Sequence, residues 1–333
     1  MGPGIETGGL PTIGLDDVAP TVEPLLGIRR PFPSVRSGEP VPGVVVEGAR
    51  SSLVVTIVWK DAAADGEALV SSLLQGIEGG VAAGDAEVGS LPLDPAAILT
   101  TIGTGGLPRD HGITGAILRA DSGELVPAWS GRAPTSVIAA LGDDLDEATG
   151  GEAMIGIVVD RPTDRGLIGG TWYLATGDED DDDVIVERRD VAGAVERLID
   201  HGYGEGGPSD LLGVTLDAGI DRVRDRTRSI IDVVLARVPD ATIVLTATGE
   251  GEAEDAPVMS SEELAAAVNE RLGSPAVGAV AAGGLSVDQA VVTERNISSQ
   301  RVVDAMAGVR GPSGEPIFAD AFPAFAVAFG RYC

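Results

Sequence analysis

The sequence predicts an α/β fold: a doubly wound, mostly parallel sheet with helices on both faces. Three observations point there. Short, uninterrupted β-branched runs alternate with helical segments along the chain. No internal repeat and no long linker breaks that alternation. Hydrophobic residues make up 44% of the 333-residue chain while aromatics make up only 3%. The core must therefore be built from Val, Ala, Leu and Ile, the residues of strands buried on both faces.

The elements follow in order. Residues 1–50 are rich in Gly and Pro and hold one helix, Leu15 to Leu26, with Asp16 and Asp17 at its N-terminus. Pro31, Pro33, Pro40 and Pro42 then force an extended path. Ser52 to Trp59 is the first core strand. A helix over about Asp65 to Gln75 follows, then a second over Ala96 to Ile102 that ends in a Gly-rich turn closed by Pro108. Ala153 to Val159 is the second strand. The acidic run Asp178 to Asp183 reads as a solvated loop or as a cation site of adjacent carboxylates. Helix Val191 to Asp200, strand Leu211 to Leu216, helix Asp221 to Arg237 and strand Ala241 to Thr248 continue the alternation. Helix Ser260 to Leu272 opens on a capping pattern of serine and glutamates. A strand over Val277 to Ala282, a helix over Ser298 to Ala307 and a Phe-rich last strand or plug, Phe318 to Phe329, complete the reading. Residues 1–50 are expected as an appendage and 51–333 as a single domain.

Charge narrows the partners. The chain carries 52 acidic against 23 basic residues, a formal net charge of −29, and Lys60 is its one lysine. Such a surface repels nucleic-acid phosphates and anionic lipid, which argues against both as partners. A high-salt cytoplasm, where acidity serves solubility, or a GC-rich genome favouring Arg over Lys produces this balance. The single cysteine, Cys333, permits no intrachain disulfide. The first residues lack a signal peptide's basic and apolar regions, and no stretch reaches the roughly 18 apolar residues of a membrane span. The expected compartment is the cytoplasm. His111 and His201 are the only histidines, very few for a metal or acid–base enzyme.

One stretch carries a family resemblance. Thr100 to Gly115 reads TTIGTGGLPRDHGITG. It resembles the T-T-L-x-T-G-x-x-P-x-x-H-G-I-x-G run of type I phosphodiesterases and nucleotide pyrophosphatases, members of the alkaline phosphatase superfamily. Asp210-Leu-Leu-Gly-Val-Thr-Leu resembles that family's P-D-L-L-x-V-Y strand. The segment Leu15 to Pro31 looks like its D-I-A-P-T-L-L-x-L-L-G-I-x-x-P helix, moved ahead of the first strand. The resemblance implies an alkaline phosphatase-like fold, two zinc-like ions on Asp and His ligands, and a Thr or Ser nucleophile at the sheet edge.

The departures from that pattern bear on function. The family's first metal Asp ends strand one; here Lys60 and Asp61 stand there. The nucleophile position falls on Pro95, leaving Thr100 and Thr101 as the nearby hydroxyls, which otherwise match the family's structural threonines. The Asp-x-x-x-His pair is replaced by Asp221 and Asp225, one helical turn apart, able to share a cation or to pair with neighbouring arginines. The later Asp-His pair is replaced by Thr248-Gly-Glu-Gly, and no histidine follows His201. His111 is matched, and in the family it shapes the turn. At the C-terminal end of the second strand, Arg161 and Arg165 are placed either to bind an anion or to pair internally with Asp160 and Asp164.

The resulting expectation is a diverged, catalytically inactive member of this superfamily with a binding or scaffolding role. It would need no cofactor, and its partner would be another protein or a second copy. The alternative is a phosphodiesterase or phosphatase holding Mg, Mn or Zn on Asp61, Asp221 and Asp225. A third reading is a structural subunit of a larger assembly.

Overall fold

The computed structural model describes residues 1–10, 12–60, 73, 80–83, 85–90, 93–170, 172–173, 181–217, 223–249, 259–281, 284–318 and 321–323. Five parallel strands form the central sheet: β1 (Leu53–Lys60), β2 (Ile155–Val159), β3 (Asp183–Val186), β4 (Asp210–Asp217) and β5 (Thr242–Ala247). Their order is β5-β1-β4-β2-β3. All eight residues of β1 are buried, as expected of a strand covered on both faces.

Strand periodicity sorts the core into two layers. Leu53, Val55, Ile57 and Trp59 of β1 pack with helices α4 (Val191–His201) and α5 (Val223–Arg237). Val54 and Val58 face the other way, against α1 (Val18–Leu26), α2 (Pro95–Thr104) and α3 (Leu141–Thr149). Side chains that alternate across a pleated strand make this division automatic. The sheet is thus doubly wound, as the alternation of runs predicts.

Local chemistry sets the helix that carries the phosphodiesterase-like stretch. Asp94 caps α2, its Oδ1 accepting the Ala96 N–H at 2.9 Å, and Pro95 suits the first helical turn, where no N–H is needed. Gly105, at φ +72°, ends it in the left-handed conformation. Gly103 lies directly against the Gly166 and Leu167 carbonyls, so any side chain there would strike backbone.

The chain divides into two compact units, 1–251 and 252–333. That division differs from the one the sequence suggests. Leu15, Val18, Ala19, Val22, Leu25 and Leu26 belong to the main core, because α1 buries its apolar stripe there. The second unit has its own core, centred on Leu264, Val268, Leu272, Val302 and Ala305. Its strand Val277–Ala281 pairs antiparallel with Gly284–Val287. The expected strand at that position therefore forms a hairpin.

Among the elements that the sequence does not suggest, two bear on the central sheet and its cover. β3 has only four residues and follows directly on the acidic run. α3 reads LGDDLDEAT, too polar to suggest burial, yet Leu141, Asp143, Asp144 and Leu145 are all buried. Most of the expected helix at 65–75, and most of the Phe-rich terminal run, lie outside the described residues. Among the described residues, no helix is long and apolar enough to cross a membrane.

Candidate functional site at the carboxyl edge of the sheet

The register of the sheet builds the site. Lys60, the last residue of β1, lies opposite Asp217, the last of β4. Asp160 follows directly on β2, and Asp164 lies in the 3-10 turns Pro162–Leu167 that come next. These residues meet where open α/β sheets bind ligands, at the carboxyl ends of strands.

Lys60 is almost fully buried, and its Nζ is ion-paired to Asp160 Oδ1 and, at 2.7 Å, to Asp164 Oδ2. Thr215 Oγ1 of β4 donates to the same Asp164 oxygen at 3.0 Å. Arg188, just past β3, donates from Nε to the Asp160 carbonyl at 3.1 Å. Lys60, Asp160, Asp164 and Thr215 thus form one buried polar cluster, with Arg188 reaching its rim, and its one ammonium faces two carboxylates.

The two carboxyls differ in environment. Asp164 has the drier side chain, 2% exposed against 10% for Asp160. Burial pushes Asp164 up to about 6, reinforced by its hydrogen bond with Asp160 and only partly offset by Lys60. Burial also acts upward on Asp160, but the hydrogen bond and charge of Lys60, with help from Arg161, outweigh it and hold that group below the usual carboxylate range. One partner therefore carries the counter-charge and the other readily takes a proton, a division expected when like charges share one cation.

The residues singled out from sequence are placed as follows. Thr100 and Thr101 are fully buried within α2. The Thr100 hydroxyl donates to the Ala96 carbonyl at 2.8 Å. Thr101 Oγ1 lies 3.2 Å from His111 Nε2. His111 Nδ1 accepts the Ile113 N–H at 3.0 Å, so the proton sits on Nε2 and the ring donates to Thr101. Burial lowers His111 to about 4. The histidine thereby ties the turn after Pro108 to the helix before it.

Arg161 is 61% exposed, with Nε 3.7 Å from Asp160 Oδ2. Arg165 is committed elsewhere: Nε to the Gly169 carbonyl at 2.7 Å and Nη2 to Asp182 Oδ2 at 2.8 Å. Asp182 and Asp183, the end of the acidic run, are thus structural partners, Asp183 accepting from the Tyr203 hydroxyl at 3.0 Å. Asp225 is exposed in the first turn of α5, where a helix favours negative charge. Asp61 and Asp221 lie outside the described residues.

Sequence reading missed the pairing of Lys60 with Asp160 and Asp164. From sequence, pairing of those carboxylates with Arg161 and Arg165 is one of two readings, and among the described residues only the Arg161–Asp160 contact, at 3.7 Å, is seen. The usable signal was the chain's sole lysine at the end of a strand otherwise composed for burial.

The fold raises the question of a metal pair. Among the described residues, no group of three or more His, Cys, Asp or Glu side chains gathers to hold an ion. The two carboxylates at the sheet edge face an ammonium instead. This donor set does not fit a two-zinc centre, which favours imidazole and several oxygens around each ion.

No protein-family model matches the sequence, and no curated protein matches it. Among solved structures, the chain is similar to a crystal structure of a mutant of the alkaline phosphatase PafA. The TM-score is 0.52 at 15% identity, over 77% of this chain and 76% of that one. The fold is alkaline phosphatase-like.

Proposed function

We propose that this chain is a diverged, catalytically silent member of the alkaline phosphatase superfamily that acts in the cytoplasm by binding or scaffolding at the sheet edge. The observation that carries this reading is Lys60. Its ammonium sits between Asp160 and Asp164 at the end of the first core strand, where the resemblance puts the first metal-binding Asp. A tethered cation supplies the positive charge there without any Lewis acidity.

Two further features agree. Pro95, at the family's nucleophile position, has no hydroxyl, and Asp94 takes up the Ala96 N–H at that helix start. Thr100 and Thr101 spend their hydroxyls inside α2 and its turn. Arg161 stays exposed at the edge, placed to meet an anionic side chain of a protein partner or a second copy. A planar guanidinium suits carboxylate recognition.

The test is hydrolysis of bis-p-nitrophenyl phosphate by the purified chain in Zn, Mn and Mg. The expected rate is that of the metal-only blank. Turnover that disappears in an Asp61→Ala variant would instead make the protein a hydrolase rebuilt around Asp61, Asp221 and Asp225.

A further inference from the structure

Away from the Lys60 cluster, the first unit encloses a cavity of about 340 Å³. It runs along the open edge of the central sheet. Residues Thr242 to Ala247 of the edge strand β5 all line it, together with α1, the N-terminal segment and the strand Gly80–Ala83. The walls are mostly aliphatic, with Leu15, Val22, Val44, Val81 and Val88 among them. An apolar cavity of roughly 150 Å³ admits benzene, so this one has room for an alkyl chain of about six carbons. Its size falls within the range of small-molecule sites.

Most polar side chains of the walls are already engaged. Asp17 accepts the Glu39 N–H at 2.9 Å on one oxygen and the Gly14 N–H at 2.8 Å on the other. Thr21 donates to the Asp17 carbonyl at 2.6 Å and accepts the Val41 N–H at 2.9 Å. Thr242 is hydrogen-bonded to Ser51. The Met1 amino group donates to the Ile243 carbonyl at 2.8 Å, and burial lowers it to about 6, so it is largely uncharged at neutral pH. Asp85 is exposed to water, and Thr246 adds a neutral hydroxyl. The backbone of β5 is different. Ile243 exchanges both its backbone groups with Met1, on the side of β5 away from β1, while Thr248 donates to Trp59 of β1. Alternate residues of a parallel strand present both backbone groups to the same side. Leu245 therefore directs its N–H and C=O outward with Ile243, and among the described residues nothing pairs with them. One donor and one acceptor, held together by the covalent geometry of a single residue, thus face the cavity.

We propose that this cavity binds an uncharged aliphatic amide, its alkyl chain seated among the aliphatic walls, its N–H donating to the Leu245 carbonyl and its C=O accepting the Leu245 N–H. A primary amide carries its donor and its acceptor side by side, which matches the pair that one strand residue offers. An alcohol has a single oxygen to divide between them. A carboxylate has no proton for the Leu245 carbonyl, and an ammonium has no acceptor for the Leu245 N–H. Either ion would also leave water for an aliphatic interior. The cavity is distinct from the edge cluster, so this assignment stands apart from the proposed function.

Isothermal titration of the full chain with hexanamide, hexanol, hexanoate and hexylamine at neutral pH tests it. Hexanamide should bind about tenfold more tightly than either ion, with hexanol between them. N,N-dimethylhexanamide keeps the carbonyl but has no N–H, and it should bind about tenfold more weakly than hexanamide. That comparison needs no variant. Leu245→Pro removes the outward N–H at an edge-strand position, where proline is tolerated. With its circular dichroism spectrum kept, this variant should lose the preference for hexanamide; should it fail to fold, the ligand series still decides. Hexanoate, hexylamine or the dimethyl amide binding as tightly as hexanamide, heat from none of the ligands, or a folded Leu245→Pro variant that keeps the preference would overturn the proposal.

Discussion

A buried carboxyl with a raised pKa leaves a signature in stability. Asp164 rises to about 6, above the roughly 3.9 of an unfolded aspartate. The native state then binds more protons than the unfolded one between those values. Its contribution is therefore largest in acid and is lost as pH rises through the window. His111 works in the opposite sense. Lowered to about 4, it binds its proton more weakly in the native state, so its contribution is lost as pH falls from about 6.5 to 4. In the native chain the two partly cancel. Asp164→Asn removes one side of the balance. Relative to the native chain, the variant should gain roughly 1–3 kcal/mol between about pH 4 and pH 6, read from urea denaturation at several pH values. A difference that stays flat across that range would mean that Asp164 titrates as an ordinary carboxylate. None of this was legible in sequence. Lys60 stood out as a misfit beside Asp61, but its partners lie about a hundred residues away, and spacing rules reach only a helical turn or a strand pair.

At the scale of elements, α3 shows why a helix can be invisible and still matter. Its apolar stripe is short, and its two central aspartates look like surface residues. Each is buried for a specific purpose. Asp143 accepts backbone N–H groups from Ala140, Gly170 and Trp172. Burial, its largest influence, raises its pKa despite those bonds. Asp144 accepts Arg30 Nε at 2.5 Å, Arg36 Nη2 at 2.9 Å and the Tyr173 hydroxyl at 2.8 Å. It thereby ties the extended segment after α1 to the body of the sheet. Removing one partner of a buried ion pair strands the others, at a cost of about 3–5 kcal/mol. Asp144→Ala should lower stability by that amount, measured by chemical denaturation, because two guanidiniums would lose their counter-charge. A loss below about 1 kcal/mol would class the cluster with exposed pairs. By contrast, β1, β2, β4 and β5 were readable to within two residues, because an apolar β-branched run leaves few other options. β3 was not, since four residues after an acidic run carry little periodicity.

At the scale of the molecule, the alternation of strands and helices was enough to predict a parallel, doubly wound sheet. The stretch from Thr100 to Gly115 then suggested which fold of that class it is. The fold was legible because it rests on patterning that many residues share. The site was harder to read because it depends on a few individual residues brought together by sheet register. A lysine at the end of β1, an aspartate just past β2, another in the turn after it and a threonine on β4 become neighbours only once the strand order is known. On the proposed reading, Lys60 supplies the positive charge that a metal ion supplies in a working phosphodiesterase. Elemental analysis of the purified chain, after dialysis against Zn, Mn and Mg in turn, tests this most directly. Each metal should stay well below one ion per chain. One or two ions retained per chain, and lost in Asp61→Ala, would contradict it.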